Sequence, residues 1–487
     1  MSALRNSLCV TLCLAALSVP VARAQQKDQD QEQPTPPIPA YRSPLASLAD
    51  NSEDADANPQ KLGPDTRSLA GAQDLSLGVL PLTRSYWQPR FDLTGSADSN
   101  ALASTTQSGW TTYTSLMGGI DLHRISGNSE LALNYAGGGT ISNDGAIGNA
   151  MVHDLQLSDK ISFRRSAITL IDQLGYLPET SFGYGGLGGI ALPGGGTVGV
   201  QNGFLPGQSV LTTRGQRLDN SSLGQVDVFL SSRSTLTFVG GYSLLHYFDN
   251  DLLNSGDAIV QAGYNYQMSE RNTVAVFYRF SGYRYSNSTQ SINDNMFQAS
   301  YGHRITGKLA FQAAIGPDVA YLQTPISGSS GTSGGAGAAA TSPVWKVYWS
   351  GSTALTYKLR QTALGLSYSH GLSGGSGVLA GSISDQTSGS VSRQVSRTFS
   401  GGFNGGYARN SGLTITTTTP TSQTYDYWFG GVNMSHSFGR TWNLVFNYQV
   451  QYQNSSLPFS IGTTSGTSLI RHQVSLGLSW RSRLIPF

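Results

Sequence analysis

Residues able to carry out acid–base or metal chemistry are scattered singly along this chain. The seven histidines show no H-x-x-H or H-E-x-x-H spacing, and both cysteines, Cys9 and Cys13, lie near the N-terminus. A metal site needs several such side chains brought together, so this distribution predicts no metal. We likewise expect no cofactor and no catalytic residues, and the chain is not predicted to be an enzyme.

Two glycine-rich motifs match catalytic or nucleotide-binding patterns only formally. Residues 183–188 fit G-x-G-x-x-G, and residues 371–375 fit G-x-S-x-G. The first motif needs a following helix to direct amides at phosphate, and the second needs a sharp strand-to-helix turn. Both segments lie in glycine-rich stretches without helical periodicity, so we interpret them as loops.

The dominant pattern is an alternation of apolar residues with small polar ones. In Val474–Trp480 every second residue is apolar, and Ser or Gly stands between them. Charged residues make up 12% of the chain, and there are 59 glycines. Because Ser, Gly, Asn and Gln faces cannot form a dry core, the polar face is expected inside and the apolar face outside. A soluble propeller or β-solenoid is the less favoured alternative.

Counting such segments from Phe91 onward gives eighteen candidate strands, with sixteen as the alternative. The fifteenth is centred on Leu413 and Ile415, and the preceding region, 371–390, is interpreted as a loop. Short turns are predicted on one side of the sheet and long Gly/Ser-rich loops on the other. The predicted turns are 126–128, 158–160, 231–233, 269–271, 306–307, 359–361, 409–412 and 439–440. The predicted fold class is therefore all-β: a transmembrane antiparallel up-and-down β-barrel with periplasmic turns and extracellular loops.

Three regions are predicted along the chain. Residues 1–24 read as a secretory signal peptide, with Arg5, an apolar stretch and the cleavage motif Ala22-Arg23-Ala24. Residues 25–88 are predicted to be a largely disordered periplasmic leader, of which 68–86 dock on the barrel or plug it. Residues 89–487 are predicted to form the barrel.

The region from Pro89 to Phe487 resembles a bacterial outer-membrane β-barrel of the porin-like kind. The resemblance lies in the architecture and in the terminal Phe487, which in such proteins is thought to be read by the barrel-assembly machinery. Phe487 is out of phase with Val474–Trp480, so either a bulge around 481–483 restores the phase or the terminal signal is atypical. The resemblance implies the cell outer membrane as location and the general secretory pathway as export route.

Inward positions define any pore. Few inward charges are expected: Arg481 and the five charged residues among the candidates named next. Most of the interior is predicted to carry amides and hydroxyls. The candidate pore-lining residues are Asp227, Arg279, Asp318, Lys346, Asn443, Asn447, Gln449, Arg471 and Gln473. Residues 175–222 are a candidate constriction loop.

These features predict a channel for passive diffusion of small polar or neutral solutes, weakly ion-selective because the charges nearly balance. A structural or surface-interaction barrel and a polysaccharide or secreted-product export barrel remain alternatives. The expected partners are outer-membrane lipid and lipopolysaccharide, the assembly machinery and small solutes. The formal charge of +2 argues against nucleic acid.

Overall fold

A computed structural model describes residues 85–101, 109–143, 148–177, 216–248, 252–286, 290–325, 341–374, 379–413, 423–461 and 464–487. These residues all belong to one compact unit, Pro37–Phe487. The predicted signal peptide and nearly all of the leader, including the candidate plug up to 84, lie outside the described residues. No helix in the described ranges is long and apolar enough to span a membrane.

The described chain forms antiparallel strands joined in sequence order. The first nine are β1 (Tyr86–Asp98), β2 (Thr111–Ser126), β3 (Ser129–Ser142), β4 (Ala150–Ser162), β5 (Ser166–Leu177), β6 (Arg217–Phe229), β7 (Ser234–Tyr247), β8 (Ser255–Ser269) and β9 (Asn272–Tyr285). The others are β10 (Ser291–Arg304), β11 (Leu309–Pro325), β12 (Thr341–Lys358), β13 (Thr362–Ser373), β14 (Ser382–Gln394), β15 (Phe399–Gly412), β16 (Thr424–Phe438), β17 (Trp442–Ile461), β18 (Thr464–Arg481) and the two-residue β19 (Ile485–Pro486).

The sheet closes between β1 and β18. β1 pairs with β2 on one side and with β18 on the other, from Arg90 opposite Arg481 to Asp98 opposite Gln473. Closure leaves no strand edge with unpaired amides, which is the condition for a sheet in hydrocarbon. The predicted eighteen-stranded barrel is confirmed, with β19 as a short addition.

The outer surface carries an apolar band bounded by aromatic side chains. On β16, Trp428 and Phe438 point outward and are 54% and 49% exposed. They are ten residues apart, about 34 Å along a strand. A strand tilt of about 40° reduces this to roughly 26 Å, close to the apolar band of roughly 25 Å found in outer-membrane barrels.

Two ends of the barrel differ in their connections. At the turn end the connections have two to four residues. They join β2 to β3, β4 to β5, and so on in pairs up to β16 and β17. At the loop end most connections are longer. The N-terminal end of β1 and the C-terminal end of β18 both lie at the turn end, as an even number of strands requires.

One predicted strand is wrong and one real strand was missed. Leu413 follows the end of β15, and 414–422 lie outside the described residues. The missing strand is β14, in the region predicted to be a loop. Its outward residues include Asp385, Thr387 and Gly389, so its alternation is weak, and its place in the sheet depends on backbone pairing with β13 and β15.

Two predicted turns are also wrong. β4 continues through 158–160 to Ser162, and β15 continues through 409–412. The turns lie instead at 163–165 and 395–398. In both cases polar residues inside a strand resembled turn residues. Those at even-numbered positions face the barrel interior, which tolerates them, whereas Asp159, Arg409 and Ser411 face outward.

The C-terminal phase problem has a structural solution. Arg90 pairs with Arg481, whereas Trp87 pairs with Ile485, so the register against β1 shifts by one residue between β18 and β19. The outward face of β1 at Trp87 thus meets Ile485, and Phe487 shares that parity and is 61% exposed. The predicted irregularity after Arg481 is present, and β1 begins at Tyr86, three residues before the predicted start of the barrel.

Candidate solute pathway

The cross-strand register determines which side chains face the interior. Residues directly opposite one another point to the same side of the sheet, and the side alternates along each strand. Starting from buried Asp92 on β1, this parity can be followed through every neighbouring strand. The nine predicted pore-lining residues, Asp227, Arg279, Asp318, Lys346, Asn443, Asn447, Gln449, Arg471 and Gln473, all fall at inward positions. Their role in lining a pore remains a prediction.

One side of the interior, the neutral wall, comprises the inward faces of β13 to β17. At its described positions these strands carry Ser, Gly, Asn, Gln, Ala, Val, Tyr and Phe, and no charged residue. Near mid-height, Ser367, Ser388 and Asn404 are only half-buried. Their hydroxyls and amides offer solutes donors and acceptors without a fixed charge.

The other side, the charged wall, comprises the inward faces of β18 and β1 to β12. The expectation of few inward charges is wrong here. Besides the predicted residues and Arg481, the register turns inward Arg90, Asp92, Asp98, Asp121, Glu130, Asp154, Lys160, Arg217, Asp219, Asp257, Asp294, Arg304 and Lys358. Basic and acidic residues are mixed on this wall, so its net charge is small.

Much of the charged wall is internally bonded. Arg90 lies 3.4 Å from the Asp121 carboxylate and donates to the Asn134 side-chain oxygen at 2.9 Å. Asp121 also accepts a 2.5 Å hydrogen bond from Asn134. Such bonds satisfy buried charges, which are costly when left alone. This part of the wall therefore holds neighbouring strands together.

Two of the predicted residues also belong to such bonded groups. The Asp227 carboxylate accepts hydrogen bonds from Thr237 at 2.6 Å and from Gln225 at 2.7 Å. Arg471 donates through Nε to Asp98 at 2.7 Å. Both residues are buried, so their polar atoms are largely committed to the protein.

At the loop end, the described residues of the connection between β13 and β14, Gly374 and 379–381, contact the inner wall of β9 to β11. We call the resulting group of buried residues the mouth cluster: Tyr283, Tyr285, Ile292, Ala320, Leu322, Ala380 and Leu413. Two hydrogen bonds fix the connection there. The Tyr285 hydroxyl donates to the Gly374 carbonyl at 2.6 Å, and Gln290 donates to the Ala380 carbonyl at 2.7 Å.

Gly381 makes the close approach possible. Its φ of +85° lies in the left-handed region that side chains other than glycine rarely adopt. A Cβ added there would meet the Ile292 side chain. The mouth cluster thus narrows the loop end between β9–β11 and β13–β15.

The predicted constriction segment, 175–222, falls mostly outside the described residues, so its role remains a prediction. Residues 178–215 lie outside the described part of the chain, and its two ends belong to β5 and β6. Nothing in the sequence distinguished 374–381 from the other glycine-rich loops. The signal was limited to the apolar pair Leu379-Ala380 inside a Ser/Gly stretch.

Most histidines lie on the outer face. His370 stacks on Trp349 with ring centroids 3.9 Å apart and contacts Asp385 at 2.6 Å. Asp385 also accepts a hydrogen bond from Tyr368 at 3.0 Å. Within the described residues, no three His, Cys, Asp or Glu side chains are grouped so that they could hold a metal.

Comparison with known proteins shows that this chain is similar to some solved structures in fold. No family model matches the chain, and no curated protein matches it. Among solved structures, the outer membrane protein OpdK from Pseudomonas aeruginosa is 12% identical, with 81% of this chain and 98% of that chain covered and a TM-score of 0.40. OpdQ from the same organism is 10% identical, with coverages of 82% and 99% and a TM-score of 0.41. The ferric citrate transporter FecA is 9% identical, with coverages of 83% and 80% and a TM-score of 0.42.

The closed sheet and its outward apolar band, by contrast, follow directly from the register and burial of this chain. The chain is a closed antiparallel β-barrel of eighteen strands with an apolar outer face.

Proposed function

We propose that this barrel is an outer-membrane channel for the passive diffusion of small polar or neutral solutes. The observation that carries the proposal is the neutral wall, where Ser367, Ser388 and Asn404 remain half-buried inside a closed barrel. Barrels of 16–18 strands have interiors wide enough for an aqueous channel. Hydroxyl and amide groups replace part of a solute's hydration without demanding a particular charge.

Weak ion selectivity belongs to the same proposal. The neutral wall adds no field, and the charged wall mixes both signs, with pairs such as Arg90–Asp121 and Arg471–Asp98 already compensated. A small net field in the lumen discriminates poorly between cations and anions. The lumen residues are assigned to passage and not to catalysis.

We further propose the orientation and the biogenesis that such a channel requires. The turn end would face the periplasm and the loop end the exterior, as is usual for outer-membrane barrels. Export would use the general secretory pathway through the signal peptide at 1–24. Lipopolysaccharide would contact the outer face at the loop end, and the assembly machinery would engage the C-terminal strand.

A liposome-swelling series with neutral sugars of increasing size tests the channel. Protein-containing vesicles are expected to swell at rates that fall steeply with solute size, whereas vesicles without protein do not swell. Folding is checked on the same sample by the shift in gel mobility on heating. Folded barrels that admit no sugar of any size would refute the proposal.

The mouth cluster favours one alternative, a structural or surface-interaction barrel without an open pore. In that case the loop end would be sealed by the contacts of Gly374 and 379–381 with β9–β11. Swelling separates the two functions, because a sealed barrel excludes even the smallest sugar. No observation on the described residues favours an export barrel.

A further inference from the structure

Basic residues are concentrated in the short connections at the turn end of the barrel. The eight connections that join β2 to β3, β4 to β5, and so on up to β16 and β17, are all described. They contain eight basic residues against one acidic residue, Glu270. We call the eight basic residues the basic rim: Arg164, Arg165, Arg233, Arg271, Lys308, Arg360, Arg397 and Arg440. The whole chain has a formal charge of only +2, so this end is strongly positive by comparison.

The charges of the basic rim are exposed and uncompensated within the described part of the chain. All eight residues are exposed, and none makes a side-chain hydrogen bond or an ion pair with another described residue. The charged wall differs, because pairs such as Arg90–Asp121 compensate each other there. Like charges arranged around one end of a barrel repel one another, so a partner that supplies negative charge is favoured at this end.

Seven of the eight connections combine this charge with an exposed apolar side chain. The apolar residue ends the preceding strand or opens the connection, where it continues the outward alternation of that strand. A basic residue follows one to three positions later. The seven apolar residues are Phe163, Leu230, Met268, Ile305, Leu359, Val395 and Phe438. Each is between 40% and 58% exposed, whereas the eighth connection, 127–128, contains neither an apolar nor a basic residue.

The order of these residues along the chain matches the layers of a membrane. Phe438 marks the limit of the apolar band at the turn end, and Arg440 lies two residues beyond it. One to three residues of extended chain cover about 3–10 Å. The headgroup layer outside the hydrocarbon is about 5–8 Å deep. Each apolar side chain therefore lies at the edge of the hydrocarbon, and the neighbouring cation lies at the level of the lipid phosphates.

We infer that the basic rim binds the headgroups of anionic phospholipids in the leaflet at the turn end of the barrel. A guanidinium group can donate two parallel hydrogen bonds to one phosphate, and its charge is complementary to a lipid of net negative charge. A zwitterionic lipid offers the same phosphate but cancels its charge with an ammonium group. The acyl chains of the bound lipid cover the apolar residue of the same connection. Because the combination recurs in seven connections, anionic lipid is expected all around the turn end.

An acidic segment of this chain is the competing occupant of the basic rim. Residues 50–56 contain four acidic residues, and the predicted leader joins β1 at the turn end. Seven extended residues span at most about 25 Å. Eighteen strands about 4.8 Å apart give a perimeter of at least about 86 Å. One such segment reaches only a small part of the rim, whereas lipid reaches every connection.

Native mass spectrometry of the folded protein measures this lipid preference. The protein is released from micelles that contain equal amounts of phosphatidylglycerol and phosphatidylcholine with the same acyl chains, and the retained lipids are counted. The wild type is expected to retain phosphatidylglycerol over phosphatidylcholine by about fivefold, the factor that one basic residue near an anionic surface supplies. Raising the salt concentration of the micelle solution should lower this ratio, since the basic rim is exposed.

Two matched variants at the same four positions locate the site. Arg164→Gln/Arg165→Gln/Arg397→Gln/Arg440→Gln is expected to lower the lipid ratio to about half or less. Lysine at the same four positions keeps the charge and should keep the ratio. Arg409→Gln removes an outward arginine, 53% exposed, at the loop end and should leave the ratio unchanged. The heat-dependent gel shift shows which variants are folded, and Arg397→Gln/Arg440→Gln carries the test if the fourfold glutamine variant is not.

Every contrary outcome identifies a different fault in the inference. Equal retention of both lipids by the wild type, or an unchanged ratio in the glutamine variant, overturns it. Loss of the preference in the lysine variant as well shows that charge is not its cause and also overturns it. If the wild type shows no preference and Asp50→Asn/Glu53→Gln/Asp54→Asn/Asp56→Asn uncovers one, the leader occupies the rim in place of lipid. None of these measurements depends on solute passage, so failure of the proposed channel leaves the inference standing.

Discussion

Asp98 on β1 and Arg471 on β18 form a buried ion pair across the seam that closes the barrel. The Arg471 guanidinium donates through both Nε and Nη2 to one carboxylate oxygen of Asp98. The Arg471 side chain is 6% exposed and the Asp98 side chain 0%. Their strands are the first and the last of the barrel, so this contact spans nearly the full sequence. The sequence predicted Arg471 as a pore-lining residue. In the structure, Arg471 also joins the two strands that close the sheet.

Removing the Asp98 carboxylate should destabilise the closed barrel. Asp98→Ala leaves the Arg471 charge buried without its partner, which typically costs about 3–5 kcal/mol. Denaturant unfolding in detergent micelles measures the loss. The double variant Asp98→Ala/Arg471→Met, which leaves no buried charge, is expected to recover most of it. If the single and double variants unfold alike, the ion pair is not what stabilises the seam.

Loosening the mouth cluster should widen the loop end. Ile292→Ala removes a fully buried side chain that packs against Ala380 and Gly381, and Tyr285→Phe removes the hydroxyl bonded to Gly374. The double variant is expected to raise single-channel conductance. Ile171→Ala on β5 truncates an equally buried inward residue away from the cluster and should lower stability without raising conductance. Unchanged conductance in the double variant would mean that the mouth cluster does not limit passage.

A charge placed on the neutral wall should change ion selectivity. Ser369 on β13 points inward and is exposed, so an arginine there would stand in the lumen. Ser369→Arg is expected to shift the reversal potential in a KCl gradient toward chloride permeation. Ser369→Gln, of similar polarity but without charge, should leave the reversal potential where it is. A shift in both variants would indicate a change of pore shape instead of field.

Cysteine labelling tests whether β14 is a strand of the wall. The only cysteines of the chain, Cys9 and Cys13, lie in the predicted signal peptide, so single cysteines can be introduced cleanly. Ser388→Cys and Ser390→Cys point inward and should react with a small water-soluble thiol reagent. Gly389→Cys and Val391→Cys point at lipid and should not. Uniform reactivity along 388–391 would indicate a loop, the sequence-based interpretation.

β14 also shows where sequence reasoning was limited. The alternation rule detects a strand by its apolar outward face, and it succeeded for strands such as β17 and β18. β14 has outward apolar residues only at Ile383 and Val391, while Asp385 is accommodated by the neighbouring Tyr368 and His370. That support comes from an adjacent strand, so no pattern within 382–394 reveals it. The count of eighteen survived because one false strand replaced one missed strand.

The inward charges were underestimated for a related reason. Alternation assigns a charged residue to the inner face, but not its partner in another strand. Arg90 and Asp121 satisfy each other over 31 positions of sequence, and Asp98 and Arg471 over 373. The amides expected along the interior are a local feature by contrast, and on β17 the alternation alone placed Asn443, Asn447 and Gln449 at inward positions. Long-range pairing and the contacts of Gly374 and 379–381 with the inner wall required the three-dimensional structure.

Single-channel recording of the purified, refolded wild-type protein in a planar bilayer tests the channel most directly. The barrel described here predicts stable conductance steps with a reversal potential close to zero in a salt gradient, because a nearly balanced charged wall faces an uncharged one. A protein that shows the gel mobility of a folded barrel and inserts into the bilayer, yet conducts no current, would contradict the proposed function.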